Sequence, residues 1–292
     1  MKDIWHRLSW AGRLCLAVIA AYFALAVYGE VQYRVAKARD VTPTYNVVHE
    51  NARYLPPLSR SSDHSCFFLL GSDNLGRDVA ARLVQGSRIA FHVGIMTSLI
   101  AIPLGVILGL LGGYFGGRID SLVVWLCATV ASMPGLLFIL AISMVVGQGL
   151  LGIYMGIGLT TWVGVCRTIR AEVMKHKLRA YVLAARVLGY SHLRIMFRHI
   201  LPNVAHVILI QFSIRFPSAV ATEVFISFLG IGVQGEPSWG VMINNARLRL
   251  WQGVWWEMTF VTAAIFVLVL VFNHLADELR DLLDPALRNE GT

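Results

Sequence analysis

Residues 121–166 read SLVVWLCATVASMPGLLFILAISMVVGQGLLGIYMGIGLTTWVGVC, 46 positions without an Asp, Glu, Lys or Arg. A helix crosses the ~30 Å hydrocarbon core of a bilayer with about 20 apolar residues, each rising ~1.5 Å. The run is therefore too long for one span and long enough for two. Gly147-Gln148-Gly149 divides it, since two glycines around a polar residue mark a turn. Working outward, Ile89 to Gly117 offers 29 uncharged residues, Met258 to Ala276 offers 19, and Leu14 to Gly29 offers 16, lengthened by Trp10 and Ala11. Val204 to about Leu229 is also apolar but carries Arg215 and Glu223. Six spans are predicted, in an all-α integral membrane protein.

Composition agrees. Length alone, 292 residues, would allow about two soluble domains. Hydrophobic residues make up 57% of the chain and charged residues 14%, with a mean hydropathy of +0.64. A soluble domain carries roughly 25% charged residues to face water, so this chain needs lipid as its solvent. Disordered, collagen-like and nucleic-acid-binding classes are excluded. Cys15, Cys127 and Cys166 lie in apolar runs and Cys66 stands alone in a polar segment, which is no disulfide framework.

The excess of basic residues reads as topology, because short loops rich in Lys and Arg stay cytoplasmic. Lys2, Arg7 and Arg13 precede the first span, and Arg167 to Pro202 holds eight Lys or Arg against one acid, Glu172. An even number of spans puts both regions and the C-terminal tail on the cytoplasmic side. The loop from Glu30 to Arg88, with eight basic and six acidic residues, objects weakly because long loops translocate regardless of charge. The expected organisation is a cytoplasmic segment and first span at 1–29, an outer loop at 30–88, and a five-span core at 89–292 with a cytoplasmic segment at 167–202. Ala24-Leu25-Ala26 resembles a signal-peptide cleavage site, but the apolar core runs past it to Tyr28, which favours a retained span.

No catalytic constellation is legible. Residues 230–235, GIGVQG, match the G-x-G-x-x-G dinucleotide pattern, but they end a membrane span where that pattern has no meaning. No G-x-x-x-x-G-K-[ST] exists, so the chain holds no ATP in a P-loop, and the nine histidines show no metal-ligand spacing. Neither a bound cofactor nor a metal is expected. Gly105, Gly109 and Gly113, with Gly112 and Gly116 beside them, form a small-residue face on which another span can pack closely. Trp239, Trp251, Trp255 and Trp256 read as an aromatic belt at the outer interface. Asp277, Glu278, Asp281 and Asp284, interleaved with Arg280, read as a solvated helix end or a partner contact.

Arg215 and Glu223 are ionisable groups inside a span, where such residues usually face a wet cavity or the bundle interior. Eight residues apart, they fall ~80° apart around the helix and ~12 Å along it. They either line a translocation path or satisfy groups at its ends.

Residues 181–202 carry the most information. Tyr181 to Leu188 suits a short helix, Gly189 sits where a left-handed cap belongs, and Ser191 can cap a second helix that Pro202 interrupts or ends. Val182, Leu183, Val187 and Leu188 form an apolar stripe that needs a cover, unless the segment is merely a solvated basic loop.

This segment resembles the Glu-Ala-Ala-x3-Gly-x9-Ile-x-Leu-Pro loop of ABC importer permeases. Ala184, Ala185, Gly189, Leu201 and Pro202 fall at matching positions, while Leu183 replaces the Glu and His199 the Ile. LGSDNLGRD at 70–78, GYFGGRID at 113–120, SFLGIG at 227–232, PSWG at 237–240 and LRDLLDP at 279–285 are similar to segments of the dipeptide, oligopeptide and nickel importers, in order. The resemblance is to their C-type permease subunit, with a type I six-helix bundle, in the bacterial inner membrane with both termini cytoplasmic. It implies half of a translocation pore for di- or oligopeptides, with nickel or another small solute as the alternative cargo. It further implies a second, homologous permease, two cytoplasmic ATPase subunits that use ATP and magnesium, and a periplasmic binding protein. Tyr181, Val182, Leu183, Ala184, Ala185, Arg186, Gly189, Leu201 and Pro202 would form the coupling segment gripped by the ATPases. An independent secondary transporter would instead show inverted repeats, which are not legible here; a membrane scaffold would differ only in its partners.

Overall fold

The computed structural model describes residues 9–61, 66–233 and 235–283. Five helices in it are long and apolar enough to cross a membrane: α1 (Trp10–Arg39), α2 (Val79–Phe115), α5 (Leu150–Lys177), α7 (His192–Phe228) and α9 (Trp256–Leu283). Between α2 and α5 lie α3 (Gly117–Ala131) and α4 (Gly135–Val146), a pair bent by 90° that is together long and apolar enough for one further span. Short helices α6 (Ala180–Val187) and α8 (Trp239–Arg247) lie between spans, and one two-stranded hairpin pairs Ser59–Arg60 with Phe67–Phe68.

The 46-residue run divides where expected, at Gly147 and Gly149, both at φ +119°. It also breaks a second time at Ser132–Pro134. Proline brings no N–H and pushes the residue before it away from helical angles, so α3 stops at Ala131 and α4 restarts at Gly135.

The outer loop is shorter than the charge count implies, since α1 continues past Gly29 to Arg39 and α2 starts at Val79. Charged residues continue these helices because they are paired. Arg88 on α2 donates to Glu30 on α1 and to Glu236 beyond α7, both at 2.7 Å, and its guanidinium stacks on Tyr33. Likewise the segment at 167–202 is mostly helix, since α5 runs to Lys177 and α7 starts at His192.

The glycine face does what its spacing requires. A Cβ on Gly105, Gly109 or Gly113 would collide with Val165, with the Cys166 carbonyl, or with the Arg170 carbonyl and Val173, all on α5. The α2–α5 pair is accordingly the most extensive helix contact of the bundle. At one end of α5, Arg170 binds Asp120 of α3 through two hydrogen bonds of 2.5 and 2.6 Å.

The tryptophans do not form one belt. Trp239 and Trp256 are buried in the core, donating to the carbonyls of Leu83 and Ser72, whereas Trp251 is 96% exposed and Trp255 is exposed beside it. Of the acidic set, Glu278 accepts from the Ser9 N–H at the start of α1 and so ties the last helix to the first; Asp284 lies outside the described residues.

Candidate coupling surface and intramembrane cavity

The segment at 181–202 is built around a helix cap. Gly189 takes φ +75°, its N–H bonds the Arg186 carbonyl, and the Tyr190 N–H bonds the Ala185 carbonyl, the two hydrogen bonds of a Schellman motif. Ser191 follows in an extended conformation, and its hydroxyl accepts from the Arg194 N–H at the start of α7. α7 does not stop at Pro202. Its second turn, Ile195–Ile200, is a π-helix, and this widened turn lets the chain pass the proline and continue as one helix to Phe228.

The expected apolar stripe is divided. Val182 and Ala185 point inward with Val173, Ile195, Met196 and Ile200, and are fully covered by this chain. Leu183, Ala184, Arg186, Val187 and Leu188 face out, as does Pro202, while Tyr181 and Leu201 are half-buried. Val187 is 89% exposed and Leu188 70%, with Leu193 and Phe197 of α7 exposed nearby in sequence. The outward face thus carries apolar Leu183, Val187 and Leu188 and small Ala184, with Arg186 as its cation.

The knob is held rigidly. Tyr114 at the end of α2 bonds the His192 ring nitrogen at 2.9 Å, and Arg186 lies over the Tyr114 ring. Tyr181 bonds His176 at 2.8 Å, and burial pushes its phenol above the ordinary range. Tyr190 stacks on His199, the residue that replaces the family isoleucine.

The two intramembrane ionisable residues part company. Glu223 is 1% exposed and accepts a 2.6 Å hydrogen bond from Ser227, one turn along its own helix. Its carboxylate is answered by its own helix, and it does not line the cavity that holds Arg215. Arg215 instead lines a cavity of about 160 Å³ between α2, α5 and α7, with Thr97, Ser98, Thr161, Ser218 and Thr222. Arg215 was legible as an ionisable residue in a span, but the hydroxyls around it come from three helices and have no sequence motif.

An interrupted six-span helical bundle, with a capped knob at one end and an Arg215-lined cavity inside, defines the class as a multi-pass membrane transport subunit. The chain belongs to the family of binding-protein-dependent transport system inner membrane components, whose model matches residues 101–289. It is 36% identical over 291 residues to the dipeptide transport system permease protein of Bacillus subtilis, covering 98% of this chain and 86% of that one. It is 37% identical over 223 residues to the di/tripeptide transport system permease protein of Pseudomonas aeruginosa, covering 76% and 73%. The glutathione transport system permease protein of Pectobacterium atrosepticum is 36% identical over 221 residues, covering 75% and 73%. Among solved structures, the fold resembles a chain of an inward-facing MetNI methionine ABC transporter at a TM-score of 0.55 and 15% identity, covering 70% of this chain and 96% of that one.

Proposed function

We propose that the chain forms half of the translocation pore of an ATP-driven importer of di- or oligopeptides, beside a second, homologous permease. Peptides are favoured over nickel or another small solute because the similar permeases named above carry dipeptide, di/tripeptide and glutathione transport in their names. The chain supplies no catalytic group. Two cytoplasmic ATPase subunits hydrolyse ATP with magnesium, and a periplasmic binding protein delivers the peptide.

The observation that carries this reading is the outward face of α6 and its cap. A rigid helix, buried on one side by Val182 and Ala185 and apolar on the other at Leu183, Val187 and Leu188, is a handle that needs a protein cleft over it. Ala184 leaves room for close approach. ATP-driven closure of the ATPase pair would move the handle as a rigid body and switch the cavity between outward and inward access. The contacts of α1, α2 and α9 place Ser9, Tyr114 and Glu278 at the same end of the bundle as this handle, which supports both termini being cytoplasmic.

The test is purification of the chain from its host membranes in mild detergent, with sequencing of the proteins that accompany it. A P-loop ATPase and a second six-span permease are expected. Ala184→Arg, at an exposed position that leaves the inner packing intact, should release the ATPase and retain the permease. A chain that transports peptide alone, with no ATPase bound, would overturn the reading.

A further inference from the structure

The cavity contains a cation, Arg215, that no carboxylate among the described residues answers. Gln211, Arg215, Ser218 and Thr222 recur along α7 at spacings of four, three and four, which keeps them on one helical face. Ser218 is exposed on that face and Thr222 half-buried. A polar stripe through an otherwise apolar span is costly against lipid, so it faces water or a polar partner.

The hydrogen-bonding capacity around it is one-sided. The hydroxyls of Thr97, Ser98, Thr161, Ser218 and Thr222 each donate to a carbonyl of their own helix at 2.7–2.9 Å. Each hydroxyl has one proton, and that proton is engaged, so only acceptor capacity is left for the cavity. Arg215 alone among the lining side chains brings free donors. Its Nε is buried without a hydrogen-bond partner, and none of the ion pairs among the described residues involves it. Gly164 makes room for the guanidinium, since a Cβ there would stand 2.4 Å from Nη2. A guanidinium held this way is a fork for a carboxylate.

We infer that Arg215 recognises the free C-terminal carboxylate of a peptide in transit, while the surrounding hydroxyl oxygens accept from the peptide's N–H groups. The inference rests on the peptide-importer reading above. The volume of about 160 Å³ is close to that of an engineered cavity that holds benzene, ~150 Å³. It has room for a carboxylate and a few neighbouring atoms, so it takes one end of a peptide.

The test uses the complete importer in proteoliposomes: this chain, its partner permease, the ATPases and the binding protein. Initial uptake is measured for a dipeptide with a free C-terminus and for its C-terminal amide, with wild type, Arg215→Gln, Arg215→Lys and Ser218→Asp. Any preference of the binding protein is common to all four, so the change in acid-to-amide ratio isolates the effect of Arg215. Arg215→Gln should lower that ratio roughly tenfold, the effect of losing a hydrogen bond to a charged group, and Arg215→Lys should keep most of it. Ser218→Asp places a carboxylate one turn from Arg215 and should depress uptake of the acid more than of the amide. A ratio unchanged in both Arg215→Gln and Ser218→Asp overturns the inference. So does loss of the second permease from the Arg215→Gln complex on size exclusion, because Arg215 then pairs with a carboxylate of that subunit. A wild-type importer that moves neither peptide overturns the peptide reading itself.

Discussion

Residues 70–78 and residues 181–202 lie near opposite ends of α2, and each carries a specific sequence pattern, yet one is closed on itself and the other is open. In the first, Asp73 is 1% exposed. It accepts from the N–H groups of Leu75 and Arg77 at 2.9 Å and from the Arg77 guanidinium at 2.7 Å, with Arg82 at 3.6 Å. Asp78 caps α2 through the Ala80 N–H, and the Ser72 carbonyl accepts from Trp256. The polar groups of Ser72, Asp73 and Asp78 have their answers inside the chain, while the Asn74 Oδ1 is buried without a hydrogen-bond partner. In the second segment the backbone is equally well capped, but its outer face leaves apolar Leu183, Val187 and Leu188 uncovered beside Arg186. A pattern that completes its own hydrogen bonds is a fold element; one that completes its backbone and leaves an apolar face open is a contact element.

This difference predicts which substitutions break the molecule and which break only its assembly. The largest effect on folding is expected at Asp73. Asp73→Ala removes the acceptor for two N–H groups and leaves Arg77 and Arg82 without their shared carboxylate, a change of about 3–5 kcal/mol. Thermal unfolding in detergent should show a large fall in the midpoint. Asp73→Asn, which keeps the acceptor for the Leu75 and Arg77 N–H groups, should recover part of it. Equal losses in both variants would assign the whole effect to the charge and remove the loop hydrogen bonds from the account.

A smaller effect is expected at Gly189. A Cβ there meets nothing within 4 Å, so Gly189→Ala has only the backbone cost of holding an L residue at φ +75°. That cost is about 1 kcal/mol. Stability should fall modestly, while ATPase coupling should fall further because the Schellman cap fixes the angle between α6 and α7. Equal proportional losses of stability and coupling would show that the cap serves the fold alone.

The same contrast explains what the sequence could and could not reveal. The spans, the Gly147–Gly149 break, the glycine face and the Gly189 cap follow from local chemistry, and all are present. Counting charges misplaced the ends of α1 and α2, because Arg88 and Glu30 pair with each other across two helices, a long-range fact with no local signal. Pro134 was available as a breaker but lay within an apolar run that needed only one break to give six spans. The inward turn of Val182 and Ala185 depends on Ile195 and Met196 of the next helix. Ser227, one turn from Glu223 on the same helix, was a local signal for the partner of that carboxylate. For the ends of α1 and α2 and for the inward turn of Val182 and Ala185, the missing information was tertiary.

The smallest effect on folding, and the sharpest test of the contrast, falls on Leu183. It occupies the position where the resembling permeases carry Glu, and it is 47% exposed. Leu183→Glu exposes no new apolar surface and sets a carboxylate near the N-terminal end of α6, where the helix dipole favours negative charge. The unfolding free energy should therefore stay within about 0.5 kcal/mol of wild type. Docking should respond differently. If the ATPase cleft presents an apolar wall to Leu183, the new carboxylate must be buried there without a partner, and retention of the ATPase through purification should drop sharply. Retention that is unchanged or stronger would mean that the cleft still presents a cation at this point, so that the charged contact survives on one side of the interface only. The apolar face would then be a local loss in this chain, with Val187 and Leu188 left to hold the handle.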